Sequence, residues 1–249
     1  MKQQLIFNFK TNLSIIDIPS KLNNPFGSFI PEIAKIAANE FQQFISVDLK
    51  KWEYDFTKQK GKMFGVLVVE KEDNTYGYLG AISGKIPINA SANKFIPSTF
   101  DTSTDDFFID KGMTELTEIG KLIESTTSLS EAETLTEKRK QKSADIQQQL
   151  FENYRFLNVH GDEKDVLQIF EHSSHGKPPS AAGECAAPKL LNFALKNGLR
   201  PIAIAEFWWG HPPNHKNKEH LAFYPACKNK CRPILEFMLD DMELFNKAK

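Results

Sequence analysis

Residues 183–209 read GECAAPKLLNFALKNGLRPIAIAEFWW, a stretch in which a helical pattern is followed directly by a strand pattern. A helix is predicted over 185–197, because its leucines, alanines and phenylalanine recur at helical spacing and Gly198 follows as a stop signal. Pro188 falls in the first turn, where a helix tolerates proline. The apolar run over 201–209 predicts a buried strand.

Further helices and strands surround this unit. An amphipathic helix of about four turns begins at Pro31, with apolar residues at steps of three and four. The β-rich runs 63–70 and 76–83 predict two strands joined as a hairpin, and their continuous apolarity indicates cover on both faces. A last helix is predicted over 233–245. The order is typical of an α/β fold, which we predict as a helix-covered mixed sheet with a long helical insertion.

A long polar region interrupts this order. Residues 84–112 are predicted as loop, whereas 113–155 are rich in Glu, Lys and Gln and contain no proline. We predict one or two long, largely exposed helices there, forming an antiparallel hairpin broken near 125–130, because the apolar stripe is too thin for a core helix. The segment 114–150 is either an arm that contacts a partner protein or a solvated insertion.

These elements predict one domain over 1–249. Its core is predicted to combine 25–85 with 180–249, and the loop and helical arm over 86–179 are interpreted as an insertion. The length of 249 residues permits this arrangement.

Composition excludes several classes of protein. The chain has 31 Lys and Arg against 32 Asp and Glu, a formal net charge of -1, so its overall charge favours neither nucleic acid nor a membrane surface. No apolar run approaches the roughly 20 residues of a membrane helix. The first residues lack the apolar segment of a secretory signal, and we expect a cytoplasmic protein that does not enter a membrane.

The cysteines predict a metal site. The chain contains three, Cys185, Cys227 and Cys231, and complete disulfide pairing of an odd number is impossible. Cys185 begins one predicted helix, and Cys227 and Cys231 lie at or just before the start of the next, where the helix dipole favours thiolates. Three thiolates and a water form an open zinc site, and three with a histidine form a closed one. The alternative is three buried apolar thiols. Candidates for a fourth ligand are His172, His175, His211, His215 and His220.

Two motifs carry a resemblance to a known superfamily. Gly183-Glu184-Cys185-Ala186-Ala187-Pro188 and the segment 225–231 (PACKNKC) resemble the zinc-dependent cytidine deaminases, in which a His or Cys opens one helix and Pro-Cys-x-x-Cys opens the next. The resemblance implies zinc and a deaminase-like fold. The proton-shuttling Glu of that superfamily falls at Ala187, which cannot move a proton. Glu184 and Glu206 are the remaining candidates for an acid/base residue.

A second resemblance covers more of the chain. The segments 61–70, 76–85, 183–191, 205–210 and 223–235, in this order, are similar to the amino-terminal region of long bacterial RluA-type pseudouridine synthases. The resemblance implies a region that precedes a pseudouridine synthase catalytic domain. No His-Arg-Leu-Asp-like catalytic segment occurs, so this chain alone is not expected to isomerise uridine. It is either a stand-alone relative or part of a longer protein.

Local charge makes tRNA or rRNA a possible partner. The segment from Ala186 to Arg232 contains eight basic residues but only two acidic ones, and it also contains several aromatic residues. The candidate RNA-binding residues are Lys189, Trp208, Trp209, Lys228, Lys230 and Arg232. The alternative is that the aromatic side chains fill the core and the lysines only solvate the surface.

Three functions follow as hypotheses. The first is a non-catalytic, zinc-binding, RNA-associated accessory domain that assists RNA modification. The second is a zinc-dependent, deaminase-like hydrolase that acts on a nucleobase or nucleotide. The third is a protein-interaction domain that uses the helical arm.

Overall fold

The computed structural model of this chain describes residues 2–48, 56, 61–84, 94–100, 107–171, 173, 176–212 and 218–239. A 4-stranded sheet has helices on both faces, and β4 and β5 form a second small sheet. The predicted α/β class is therefore confirmed. The strands are β1 (Phe7–Asn8), β2 (Lys62–Glu70), β3 (Tyr76–Ile82), β4 (Arg155–Leu157), β5 (Glu163–Asp165) and β6 (Arg200–Trp209). The helices are α1 (Glu32–Asp48), α2 (Phe107–Ser125), α3 (Leu129–Asn153), α4 (Val166–Glu171), α5 (Ala186–Lys196) and α6 (Arg232–Met238), with a short 3-10 helix at Lys2–Leu5.

The main sheet has the order β1-β3-β2-β6. Each of its ladders is antiparallel, with Lys62 opposite Trp209 and Glu70 opposite Arg200 in the β2–β6 pair. The predicted mixed sheet is wrong for the part of the chain that the structure describes. The loop from β2 to β3 spans only 71–75, and so short a connection joins antiparallel strands, whereas a parallel pair needs a long crossover.

Both faces of the sheet are buried, as the continuous apolarity of the strands predicts. In β2, Phe64, Val66 and Val68 belong to the core beneath α1, whereas Leu67 and Val69 belong to the core beneath α5. This alternation follows from the two-residue period of a strand. The sheet is therefore the middle layer between two hydrophobic cores.

The core beneath α1 is aromatic. The ring of Phe41 in α1 lies 5.6 Å from the ring of Phe7 and 5.4 Å from that of Phe95. It fits against β3 because position 80 is glycine. A Cβ atom built on Gly80 would lie 2.2 Å from the Phe41 ring.

The region 86–179, predicted as an insertion outside the core, contributes residues to the core beneath α5. Phe151, Tyr154, Phe156 and Phe170 are buried in this core, although all four fall within 86–179. Sequence reasoning missed them because the apolar residues of this region are few and widely spaced. The predicted core is also incomplete at its start, because β1 precedes residue 25 and pairs with β3. The predicted loop over 84–112 overlaps α2.

The predicted helical hairpin is confirmed. Helix α2 ends at Ser125, and α3 begins after Ser128, whose side chain accepts a hydrogen bond from the Glu131 amide. The helices pack closely near Gly112, where a Cβ atom would lie 2.5 Å from Ile146. Most of the hairpin is exposed, and the docking of a partner on it stays a prediction.

The remaining helix and strand predictions agree with the structure where it describes them. The helix predicted from Pro31 is α1, the helix over 185–197 is α5, and the strand over 201–209 is β6. The last predicted helix corresponds to α6, and its predicted residues 240–245 lie outside the described residues. Across the described ranges, none of the helices has the length and apolarity needed to traverse a lipid bilayer.

We expect Gly80→Ala to lower the free energy of unfolding by about 1–3 kcal/mol, because the added methyl overlaps the Phe41 ring and forces the core to shift. Urea unfolding followed by circular dichroism measures the change. The matched control is Gly120→Ala in α2, where the nearest atom to the new Cβ is 3.9 Å away. This control should be neutral or stabilising by up to about 1 kcal/mol. Equal stabilities of the two variants would contradict the packing argument.

Candidate metal centre

Three cysteines that are distant in sequence meet at the starts of α5 and α6. Cys185 precedes α5, and Cys231 precedes α6. Cys227 lies four residues before Cys231, on the other side of a turn. The three sulfur atoms lie within 4.8 Å of one another, and Cys227 Sγ is 3.2 Å from Cys231 Sγ. The predicted convergence of the three cysteines is therefore confirmed.

Close packing on the sheet places Cys185. A Cβ atom on Gly65 would lie 3.1 Å from the Ala186 Cβ and 3.1 Å from Leu190 Cδ1. Glycine at this position in β2 therefore allows the first turn of α5 to lie directly on the strand. The chain before α5 is held there, and Cys185 with it.

The outer edge of β6 places the other two cysteines. The Tyr224 amide donates to the Glu206 carbonyl at 2.9 Å, and the Ala226 amide donates to the Pro25 carbonyl at 2.8 Å. These bonds fix the chain just before Cys227. Helix α6 then packs against α5 and brings Cys231 beneath the first turn of that helix.

The sulfur separations fit a single metal ion. Zinc–thiolate bonds of about 2.3 Å in a tetrahedral site put the sulfur atoms about 4 Å apart. Cys227 Sγ and Cys231 Sγ are 3.2 Å apart and all three sulfur atoms lie within 4.8 Å of one another, so small side-chain rotations would complete the geometry. Cys231 is buried, whereas Cys227 is exposed, so the cluster is accessible from one side. Three sulfur ligands leave a fourth tetrahedral position.

The thiols interact strongly with one another. Hydrogen bonding with Cys185 and Cys231 holds the pKa of Cys227 well below its usual value. The pKa of Cys185 is raised, chiefly by its hydrogen bond to Cys227, and the pKa of Cys231 is raised by its bonds to both other thiols. The three thiols are therefore electrostatically coupled, and a cation bound among them would displace the protons that they carry.

Glu206 approaches the cluster from β6. Its side chain is buried, and Oε1 accepts a hydrogen bond from the Ala187 amide at 3.2 Å. Burial, together with the charge of Cys227, raises the pKa of Glu206 to about 7. The residue also lines a cavity of about 110 Å³ beside Ala187 and Phe223. Glu206 is one of the two predicted acid/base candidates, and its negative charge helps to raise the pKa values of Cys185 and Cys231.

Glu184 is engaged in a buried ion pair. Its Oε2 lies 3.7 Å from Lys189 Nζ and accepts a hydrogen bond from Ser98 Oγ at 3.1 Å. Burial lowers the pKa of Lys189, and the charge of Glu184 opposes this effect. Within the described residues, Oε1 of Glu184 has no hydrogen-bond partner. The carboxylate is thus held by Lys189 and not directed at the sulfur atoms.

Two predicted RNA-binding residues need correction. Lys189 is 1% exposed, and Trp208 is 6% exposed. The Trp208 indole donates to the carbonyls of Gly210 and His211, both at 3.2 Å. Burial leaves neither side chain able to reach a phosphate or stack on a base.

The other four predicted RNA-binding residues are at least partly accessible. Lys228 is exposed, and Trp209 is half-buried with its ring 4.9 Å from that of His220. The Lys230 ammonium donates to the Ser180 carbonyl at 2.6 Å. Arg232 lies over the Phe26 ring, 4.7 Å from its centre. The accessible charge therefore lies beside Cys227 and Cys231.

The fourth ligand is not among the histidines that the structure describes. His220 Nδ1 accepts a hydrogen bond from the Gly210 amide at 3.0 Å, and His211 is exposed. Among the residues that the structure describes, the three cysteines alone form a group able to share a metal ion. His172, His175 and His215 lie outside the described residues.

Sequence reasoning missed two features. One is the Glu184–Lys189 ion pair, whose only signal is a lysine among the apolar residues of a buried helix. The other is Lys218, whose ammonium lies 4.3 Å from the Tyr224 ring centre and 5.1 Å from that of Trp208. Comparison of the chain with protein-family models, curated proteins and solved structures finds no match.

Proposed function

We propose that this chain is a zinc-binding domain in which Cys185, Cys227 and Cys231 bind one Zn²⁺. The observation that carries the proposal is the convergence of their sulfur atoms within 4.8 Å. Thiolate ligands favour zinc over magnesium or calcium, which prefer oxygen. Bound zinc would link the starts of α5 and α6 and so stabilise the α5 side of the fold.

The role proposed for this domain is that of a catalytically silent, RNA-associated accessory domain that assists RNA modification. The absence of catalytic activity is supported by Ala187, which stands where the cytidine deaminases, in the resemblance described above, have their proton-shuttling Glu. Support for RNA comes from Lys228, Lys230 and Arg232 beside the cysteines and from the resemblance to the amino-terminal region of RluA-type pseudouridine synthases. The target would be tRNA or rRNA, recognised chiefly through its phosphates.

Purified wild-type protein should contain one zinc ion per chain, measured by mass spectrometry of the metal. A triple Cys→Ser variant at positions 185, 227 and 231 should contain none, because no thiolate remains in the chain. A chelator should lower the melting temperature of the wild type but not of this variant. His160→Ala, an exposed potential ligand in the turn between β4 and β5, is the control and should keep its zinc. Full zinc content in the triple variant would refute the proposal.

RNA binding should weaken with salt. Fluorescence anisotropy with a single-stranded RNA at several KCl concentrations gives the slope of log K against log salt. For Lys228→Ala with Arg232→Ala, the slope should fall by about 0.7 for each phosphate that the variant no longer neutralises. Lys35→Ala removes an exposed charge from α1, on the opposite face of the sheet, and should change nothing. Affinity that is absent, or independent of salt, would remove the RNA part of the proposal.

A zinc-dependent hydrolase is the second candidate, favoured by the position of Glu206. A buried carboxyl with a pKa of about 7 suits general acid–base catalysis near neutral pH. It lies close to the thiols and beside a small cavity, where it would take the place of the carboxylate that Ala187 lacks.

The hydrolase candidate predicts that zinc-loaded protein releases ammonia from a cytosine or adenine nucleoside. Glu206→Gln should abolish the release while retaining the zinc, because glutamine preserves the shape of the side chain but cannot transfer the proton. An ammonia assay on all four ribonucleosides checks this. No release by the wild type, or equal release by the variant, would exclude Glu206 as the acid/base.

A further inference from the structure

We propose that a buried charge group behind Cys185, made of Lys62, Glu184 and Lys189, balances the negative charge of the three-thiolate zinc site and so sets its affinity for the metal. This inference rests on the proposed zinc function. The three side chains would not bind zinc themselves; they would act on it through its ligands.

The burial of Lys189 is the first observation. Its side chain is 0% exposed, and its neighbours Ala186, Ala187, Leu190 and Leu191 form part of the core. Removing an ammonium from water costs several kcal/mol, and replacing a buried ion pair by apolar residues is often neutral or stabilising. Stability of the fold therefore does not account for a lysine at this position.

The second observation is the connection of the group to Cys185. The Lys189 ammonium donates to the Gly84 carbonyl at 2.9 Å, and the Gly84 amide donates to the Glu184 carbonyl at 2.7 Å. Lys189 and residue 184 therefore hold the same glycine at the end of β3. Cys185 follows directly in the chain, and its charge interacts with that of Lys189.

Lys62 completes the group from β2. It is half-buried, its charge interacts with that of Glu184, and it also lines the cleft that contains Cys185. The charge of Glu184 thus interacts with both ammonium groups, and Lys189 Nζ lies 3.7 Å from its Oε2. One carboxylate oxygen of Glu184 has no hydrogen-bond partner among the described residues, so Glu184 does not complete its own hydrogen bonding.

The net charge of this group is opposite in sign to that of the proposed zinc site. Zn²⁺ with three thiolates carries a charge of -1, and Lys62, Lys189 and Glu184 together carry +1. From the opposite side, Glu206 adds negative charge when ionised, and Lys218 opposes it. Supporting charges and hydrogen bonds around metal ligands change metal affinity by about 10–100-fold. Zinc affinity should therefore follow the net charge of the group and not the stability of the fold.

Four variants separate these two explanations. Lys189→Met and Lys62→Met each lower the charge of the group to zero, and each should weaken zinc binding by about tenfold or more. Glu184→Gln raises the charge to +2 and should bind zinc at least as tightly as the wild type. The double variant Lys189→Met with Glu184→Gln restores +1, and its affinity should return to the wild-type value. Lys35→Met, on the far face, is the control and should show no change.

Competition with a chromophoric chelator gives each zinc affinity, and urea unfolding of the metal-free proteins gives each stability. The absorption spectrum of the Co²⁺-loaded proteins should be the same throughout, showing that three sulfur ligands remain. Affinities that fall in parallel with stability, with the double variant no better than Lys189→Met, would overturn the inference. Equal affinities in all variants would overturn it too. A wild-type protein that binds no zinc would instead refute the proposed function itself.

Discussion

The contact between the first turn of α5 and Gly65 of β2 determines where the thiol cluster forms. A Cβ atom at position 65 would lie 3.1 Å from the Ala186 Cβ and from Leu190 Cδ1, so a side chain there would push the helix away by a few tenths of an ångström. This contact holds Cys185 near the end of β6. Strand β6 then fixes Cys227, because its outer edge pairs with residues 221–224 just before that cysteine. One sheet therefore positions all three sulfur atoms, two of them through its edge and one through its face.

The two faces of the sheet have different roles. The face beneath α1 is a tightly packed aromatic core with Phe41, Phe64 and Phe207 at its centre. Helix α1 also buries two carboxylates, Glu40 and Asp48, and Glu40 accepts hydrogen bonds from the Lys10 and Thr11 amides. The other face carries Glu184, Lys189 and Glu206, buried charged groups that lie near the cysteines. Buried charges are costly in a core that only has to be stable. Their concentration next to the thiols is the reason to assign the function of the domain to this side.

Much of the fold was predictable because hydrophobic periodicity is a local property. Helix α5, strand β6 and the β2–β3 hairpin lie where their apolar patterns put them, and Ser128 begins α3 at the predicted break. The antiparallel pairing of β6 with β2 was not predictable, since strand direction depends on how the chain returns over the sheet. Phe151 and Phe170 were also missed, because too few apolar residues surround them in sequence to reveal their burial.

For the candidate site, the sequence by itself determined the number of cysteines, their placement near helix starts and the alanine at position 187. Only the tertiary structure decided that the three sulfur atoms meet, that Glu184 pairs with Lys189 whereas Glu206 bonds the Ala187 amide, and that Lys189 and Trp208 are buried. The physical reason is that spacing along a chain fixes direction only within one helix or strand. Contacts between α5, α6 and the edge of β6 depend on side-chain volumes, such as the missing Cβ of Gly65, that act across the whole core.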